Sequence, residues 1–324
     1  MNEKFRWGIL GTGAIAKKFA ADLQNLPDAE CFAVGSRKLE TAKKFAKQFH
    51  MPIAHGSYAD LIANEAVDAI YLATPHPFHI ENTLACLEGG KPVLCEKPFA
   101  INAKEAATMI STARDKGVFL MEAMWSRFLP VNLQVREWLA EGLIGDPLYL
   151  MVDFGFKGTI NPVNRLYNPV LGGGALLDVG IYTISYASMV FQSQPEKVTA
   201  DGIMGKTGVD EQNSMLFTYE NGAQALLRSA IRIQTEHKVR IEGTRGAIVV
   251  PDFWHATEAT LSVGGKKPVT FTGESGYQFE AAEVMRCVRA GEVESKIMPL
   301  NETLAIMETM DGIREQMGLT YPME

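Results

Sequence analysis

The sequence predicts an α/β protein in two parts: a doubly wound parallel sheet over residues 1–122, then a domain with an antiparallel sheet over residues 123–324. Three observations predict it. Apolar runs of strand length alternate with helix-period segments through the first part. A glycine loop directly follows the first of those runs. In the second part, strand-like runs succeed one another across short turn signals.

The first part reads in order. Phe5–Leu10 is a strand ending at glycine, and Ile15, Phe19 and Leu23 then recur every four residues, which marks a helix stopped before Pro27. Residues 31–34 form a second short strand, and Ala42, Phe45, Ala46 and Phe49 mark the next helix. Residues 67–73 (VDAIYLA) form a buried-type strand, and Ile80, Thr83, Leu84 and Leu87 mark a helix stopped by Gly89 and Gly90. Residues 92–95 form a strand, Ala103–Lys116 a helix closed by Gly117, and residues 118–121 a last strand. Strands alternating with helices imply a parallel sheet covered on both faces.

The second part has a different grammar. A helix at 131–140 precedes a long strand at 148–156, whose even positions Leu148, Leu150, Val152, Phe154 and Phe156 are all apolar. Such alternation suits a sheet with one covered face. Residues 174–190 read as a helix. Asn221-Gly222 between strands at 215–219 and 225–231 is a hairpin signal, and Gly243-Thr244-Arg245-Gly246 joins two more strands. Helices at 277–290 and 302–316 close the chain, and the terminal helix is expected to return to the first domain.

Composition narrows the function classes. The formal charge of −7 repels nucleic acid and anionic lipid at long range, so neither is an expected partner. No apolar run is read as approaching the about 18 residues that span a membrane. Cys31, Cys86, Cys95 and Cys287 include no C-x-x-C pair, so no zinc or redox motif is legible. The start of the chain leads straight into a strand without a signal-peptide core, and a reducing cytoplasm is the expected location.

Gly11-Thr12-Gly13-Ala14-Ile15-Ala16 carries the first chemical signal. It is the G-x-G-x-x-A form of the dinucleotide fingerprint, set between a strand and a helix. The first glycine permits the turn, the second admits the pyrophosphate to the backbone, and the alanine lets helix and strand close together. The end of the second strand selects the coenzyme. An NAD site places an acid there for the ribose hydroxyl, whereas this strand ends in Ser36-Arg37-Lys38. A hydroxyl donor and a guanidinium fork favour the 2′-phosphate of NADP over NAD. The alternative is a pair of solvated charges at a helix start.

Glu96-Lys97-Pro98 follows the strand at 92–95, on the carboxyl edge where open α/β sheets bind ligands. From spacing alone, Lys97 is read equally well as a surface lysine. Four segments together resemble the Gfo/Idh/MocA oxidoreductase family: GTGAIA at 11–16, ATPHPFH at 73–79, EKP at 96–98 and GGGALLDVGIY at 172–182. Within it, EAMWSRF at 122–128 and Tyr182, where many members place histidine, look most like the dimeric dihydrodiol dehydrogenase and NADP-dependent xylose dehydrogenase-like subgroup.

The resemblance implies a Rossmann domain, a second domain with an open, mainly antiparallel sheet, and a homodimer or homotetramer paired through that sheet. It implies hydride transfer between NADP and a sugar or vicinal diol, with Lys97 and Tyr182 handling the proton and Asp178 orienting substrate hydroxyls. It implies that Thr74, Pro75, Glu96 and Arg165 line the coenzyme cleft, that His76 and His79 line the coenzyme or substrate cleft, and that Trp125, Phe154, Trp254 and Phe279 wall an apolar substrate pocket; the alternatives are solvated loop histidines at 76 and 79 and a surface loop charge at 165. Aromatic residues more often simply fill cores. No third ligand with sensible spacing accompanies His76 and His79, so no metal is expected.

The Lys97–Tyr182 pairing is energetically reasonable. Asp178 and Tyr182, four residues apart, share one helix face. A free phenol ionises near ~10, and lowering that by two units takes ~2.7 kcal/mol. One ammonium ~4 Å away supplies ~4 kcal/mol at an effective dielectric of ~20. The competing class is a catalytically silent nucleotide sensor, since a fold alone does not set function.

Overall fold

The computed structural model describes residues 4–324, and these divide into two compact units. The first comprises the described residues up to Trp125 together with Gly276–Thr303; the second comprises Ser126–Ser275 and Leu304–Glu324. The expected division at 122/123 left all of the later chain in the second domain, with the terminal helix returning. The segment that returns is instead the one containing the penultimate helix, while most of the terminal helix belongs to the second unit.

The first unit contains β1 (Phe5–Leu10), α1 (Ala14–Leu23), β2 (Ala29–Gly35), α2 (Leu39–Gln48), β3 (Ile53–His55), α3 (Tyr58–Ile62), β4 (Ala69–Leu72), α4 (His79–Glu88), β5 (Val93–Glu96), α5 (Ala103–Lys116) and β6 (Leu120–Ala123). Its sheet runs β3-β2-β1-β4-β5-β6, parallel throughout. This is the doubly wound order, whose direction reverses between β1 and β4 and opens a crevice at the strands' carboxyl ends. Trp7, Phe19 and Tyr71 fill the core beneath it, with Phe19 and Tyr71 stacked at 3.8 Å. Both β3 and α3 escape the sequence reading. They are three and five residues long, too short to display a period.

The second unit begins with α6 (Pro130–Ala140) and β7 (Pro147–Gly155), then a π-helical segment at Leu176–Gly180 that runs into α7 (Ile181–Phe191). Strands β8 (Lys197–Met204), β9 (Asp210–Thr218), β10 (Gln224–Ala230), β11 (Val239–Gly243), β12 (Gly246–Val250), β13 (Glu258–Val263) and β14 (Val269–Thr272) follow. Helix α8 (Gln278–Arg289) belongs to the first unit, and α9 (Leu300–Met317) lies mostly in the second. The eight-stranded sheet runs β14-β13-β12-β11-β7-β10-β9-β8. All neighbours are antiparallel except β7 and β10, which are parallel.

Leu150, Val152 and Phe154 of β7 are buried as the alternation predicts, whereas Leu148 is exposed. The opposite face of this sheet is open. Met151 and Leu226, adjacent across β7 and β10, are each 40% exposed, and the Arg228–Asp153 and Arg240–Glu242 pairs flank them.

One expectation about apolar runs needs correction. The helical stretch Pro169–Phe191, with mean hydropathy 1.3, is long and apolar enough to cross a membrane, but its most apolar window is 94% buried inside the fold. Its apolarity is that of a core helix.

Candidate active site

The glycine loop leaves the carboxyl end of β1. Gly11 has φ +109°, and a Cβ there would meet the Ala73 carbonyl oxygen at 2.7 Å, so both conformation and space demand glycine. Gly13 caps α1 in extended conformation and no side chain caps that helix. A Cβ on Gly13 would meet nothing within 4 Å. The helix start is therefore open on the side where a pyrophosphate would approach its N–H groups. Ala16 is fully buried against the sheet, while Thr12 and Ile15 are half-buried and Ala14 is exposed. Thr74 Oγ1 is buried without a hydrogen-bond partner among the described residues, an orphaned group that a bound nucleotide could satisfy. The residues present thus fit a dinucleotide.

Ser36 and Arg37 follow β2. Ser36 is buried, its N–H donating to the His55 carbonyl at 3.2 Å, and Arg37 is exposed. Pro75 is extended and leads into the short turn of the buried His76. His79, expected among the coenzyme-lining residues, is held within the fold. Its Nδ1 lies 2.9 Å from the Pro98 carbonyl and its Nε2 2.9 Å from the Thr74 carbonyl, and the ring is fully buried. Burial pushes this imidazole below its ordinary range, against the pull of the carbonyls. His79 braces the Thr74 loop against the Lys97–Pro98 turn.

Lys97 is half-buried at a cis Lys97–Pro98 bond. Glu96 beside it is buried, its carboxylate accepting from the Tyr71 hydroxyl and from the Lys97 backbone N–H at 3.1 Å. Trp125 stacks on Tyr277 at 4.4 Å, and Tyr277 and Phe279 stand at the start of α8 in the first unit.

The second unit assembles the other predicted residues. Gly173 is pressed against the Arg165 and Leu166 carbonyls, where a Cβ would come within 2.6 and 2.7 Å. Gly174 has φ +118° and faces Asp210. The chain then enters the π-helical segment holding Asp178, a widened turn of the kind common at functional sites. Arg165 pairs with Asp178 at 2.8 Å. Tyr182 follows in the first turn of α7, 6% exposed, with Phe154 edge-on to its ring at 5.4 Å. Phe154 in turn stacks on Trp254 at 5.1 Å and 17°. The structure therefore brings Arg165, Asp178, Tyr182, Phe154 and Trp254 into one unit, whereas the glycine loop, Lys97, Trp125 and Phe279 belong to the other.

Sequence reasoning missed what supports this helix. Asp210 Oδ2 accepts from the Leu176 N–H and from Asn213 Nδ2, each at 2.8 Å. Asn213 in turn accepts from Ser229 Oγ at 2.8 Å, and a Cβ on Gly180 would come within 2.9 Å of that oxygen. An isolated strand aspartate announces none of this.

Burial pushes the Asp210 carboxyl up to about 6, against its hydrogen bonds. Between its ordinary value of 3.8 and about 6 the folded chain holds a proton that the unfolded chain releases, so stability falls as pH rises through that window. The full effect is on the order of 3 kcal/mol. Relative to Asp210→Asn, the wild type is expected to lose Tm between pH 4 and pH 6.5; a constant difference in thermal melts across that range would refute the assignment.

Comparison with known proteins completes the description of the site. Residues 5–124 match the family model described as the oxidoreductase family with an NAD-binding Rossmann fold, and residues 132–249 match the GFO/IDH/MocA C-terminal domain. Trans-1,2-dihydrobenzene-1,2-diol dehydrogenase of Xenopus tropicalis is 40% identical over 98% of this chain and 99% of its own length. The Homo sapiens protein of the same name is 37% identical over 98% of both chains. KijD10, a 3-ketoreductase from Actinomadura kijaniata solved with NADP and TDP-benzene, superimposes with a TM-score of 0.85 at 25% identity, covering 97% of this chain and 98% of its own.

Proposed function

The chain belongs to the GFO/IDH/MocA oxidoreductase family, and from that premise we propose that it is an NADP-dependent dehydrogenase acting on a CH–OH group of a vicinal diol or sugar. The observation that carries the reading is the group in the second unit: a carboxylate held by Arg165, a tyrosine four residues along the same helix, and an aromatic wall against that tyrosine.

The chain's residues divide the work. Gly11–Ile15 and Thr74–His76 hold the nucleotide, with Ser36 and Arg37 on its 2′-phosphate. When bound, the oxidised nicotinamide supplies a hydride acceptor. Tyr182 Oη takes the hydroxyl proton as hydride leaves the same carbon, and returns it in the reverse direction. The Lys97 ammonium favours the phenolate form of Tyr182. Asp178, oriented by Arg165, accepts a hydrogen bond from a neighbouring substrate hydroxyl. Phe154 and Trp254 exclude water and receive the apolar face of the substrate.

The open sheet face supports pairing of two copies. Met151 and Leu226 form an apolar centre rimmed by charges of both signs, as a self-complementary two-fold interface requires. The four buried, unpaired thiols support a reducing, cytoplasmic setting.

Purified protein given NADP and a panel of cyclic vicinal diols, anhydro-sugars, pentoses and hexoses is expected to generate reduced-nicotinamide absorbance, and to sediment as a dimer or tetramer. Nucleotide binding without turnover on the whole panel would favour a regulatory sensor. Sedimentation as a monomer would remove the sheet pairing alone.

A further inference from the structure

Four non-glycine residues among those described have left-handed backbone: His50, Gln192, His237 and Asp252. His50 and Gln192 follow α-helices, where that conformation is ordinary. His237 and Asp252 do not, and they stand together, with His237 Nδ1 3.9 Å from an Asp252 carboxylate oxygen. Local strain of this kind persists where surrounding contacts over-determine it, and here the contacts can be counted out.

His237 is fastened at four points. Its N–H donates to Asp153 Oδ2 at 3.1 Å, and its carbonyl accepts from the Phe253 N–H at 3.0 Å. Nε2 lies 2.6 Å from the Gly155 carbonyl. Nδ1 lies 3.3 Å from Trp254 Nε1. An indole N–H only donates, so Nδ1 carries the lone pair and Nε2 the proton, which it gives to Gly155. The Gln234 amide nitrogen lies 3.0 Å from the same Nε2 and donates to the Thr235 carbonyl at 3.2 Å. The imidazole also meets the Phe154 ring edge-on at 4.9 Å. His237 thus ties the end of β7 to the 252–255 turn and touches both rings of the aromatic wall.

We propose that His237 is the positioning residue that fixes Trp254 and Phe154 relative to Tyr182, and so sets a preference for ring-bearing hydroxyl substrates over open-chain ones. The proposal rests on the dehydrogenase reading for its substrate readout and on Trp254 alone for its structural one. A half-buried Trp254 on a three-residue turn has an orientation that its own backbone does not dictate. The hydrogen bond to Nδ1 directs the indole N–H, while the Phe154 stack and the edge-on His255 ring at 4.2 Å hold the ring's faces. A flat apolar wall rewards a ring and offers little to a short polar chain.

Two variants test this. His237→Phe keeps a ring against Phe154 and removes both side-chain hydrogen bonds. His237→Asn tolerates the left-handed backbone and returns an acceptor near the Nδ1 position. In His237→Phe, KM for a cyclic diol is expected to rise about tenfold while kcat changes less than about threefold, with little change in KM for a small open-chain polyol. Trp254 emission, taken as the difference from Trp254→Phe, is expected to shift in His237→Phe and to return toward the parent in His237→Asn. Parental Trp254 emission in His237→Phe, or equal KM increases for both substrate classes, overturns the proposal. If His237→Phe does not fold, His237→Asn against Trp254→Phe decides it by the same two readouts: a cyclic-diol KM nearer to that of Trp254→Phe than to the parent's overturns it. If the wild type turns over neither class, the dehydrogenase reading falls, and the emission shift alone judges His237.

Discussion

Tyr182→Phe is expected to bind NADP as tightly as the wild type and to lose at least ~100-fold in kcat, the range general acid–base groups contribute. The substitution removes one oxygen and leaves the ring that meets Phe154 edge-on, so the helix and the aromatic wall should persist. Stopped-flow turnover with a cyclic diol, together with coenzyme titration, separates the two effects. The companion measurement is a pH profile. If the Lys97 ammonium favours the phenolate, the rising limb of kcat/KM for alcohol oxidation lies well below ~10 in the wild type and moves toward ~10 in Lys97→Met. Undiminished turnover in Tyr182→Phe would take the phenol out of the chemistry. An unmoved limb in Lys97→Met would leave the phenol in place and dismiss the lysine as its tuning group.

Arg37→Ala carries the second large effect. A guanidinium on a 2′-phosphate makes charge-assisted hydrogen bonds worth ~1.5–3 kcal/mol, so kcat/KM for NADP is expected to fall about 10- to 100-fold. The value for NAD, which lacks that phosphate, should change little. Arg37 is exposed at the end of β2, so folding gives no reason for both coenzymes to suffer. Steady-state kinetics with each coenzyme measures the ratio. A parallel loss with NAD and NADP would show that the residue does not read the phosphate, and a fall with neither would return it to the solvated surface.

The glycine loop was legible because its constraints are local. Gly11 needs φ +109° and Gly13 needs an open approach, and both demands are met within a few residues of a strand end. Asp178 and Tyr182 were legible as near neighbours along one helical stretch for a related reason, while the π-helical turn that holds Asp178 was not. Asp210 was not, because its value depends on the Leu176 N–H 34 positions away. His237 was equally silent: an ordinary residue in an ordinary connection until folding brings Gly155 and Trp254 to its two ring nitrogens. His79 was legible only as a loop histidine, and that two carbonyls engage its ring depends on Pro98, 19 positions away.

By itself, the amino-acid order determined the alternation of strands and helices, the hairpins at Asn221-Gly222 and 243–246, and the coenzyme fingerprint, because each is decided by neighbours in the chain. Only the tertiary structure decided that β10 lies parallel to β7, that α8 rather than the terminal helix belongs with the first unit, and that Arg165 meets Asp178. Those choices depend on which buried faces find each other across long separations, and their energies come from burial and paired charge that no local window contains.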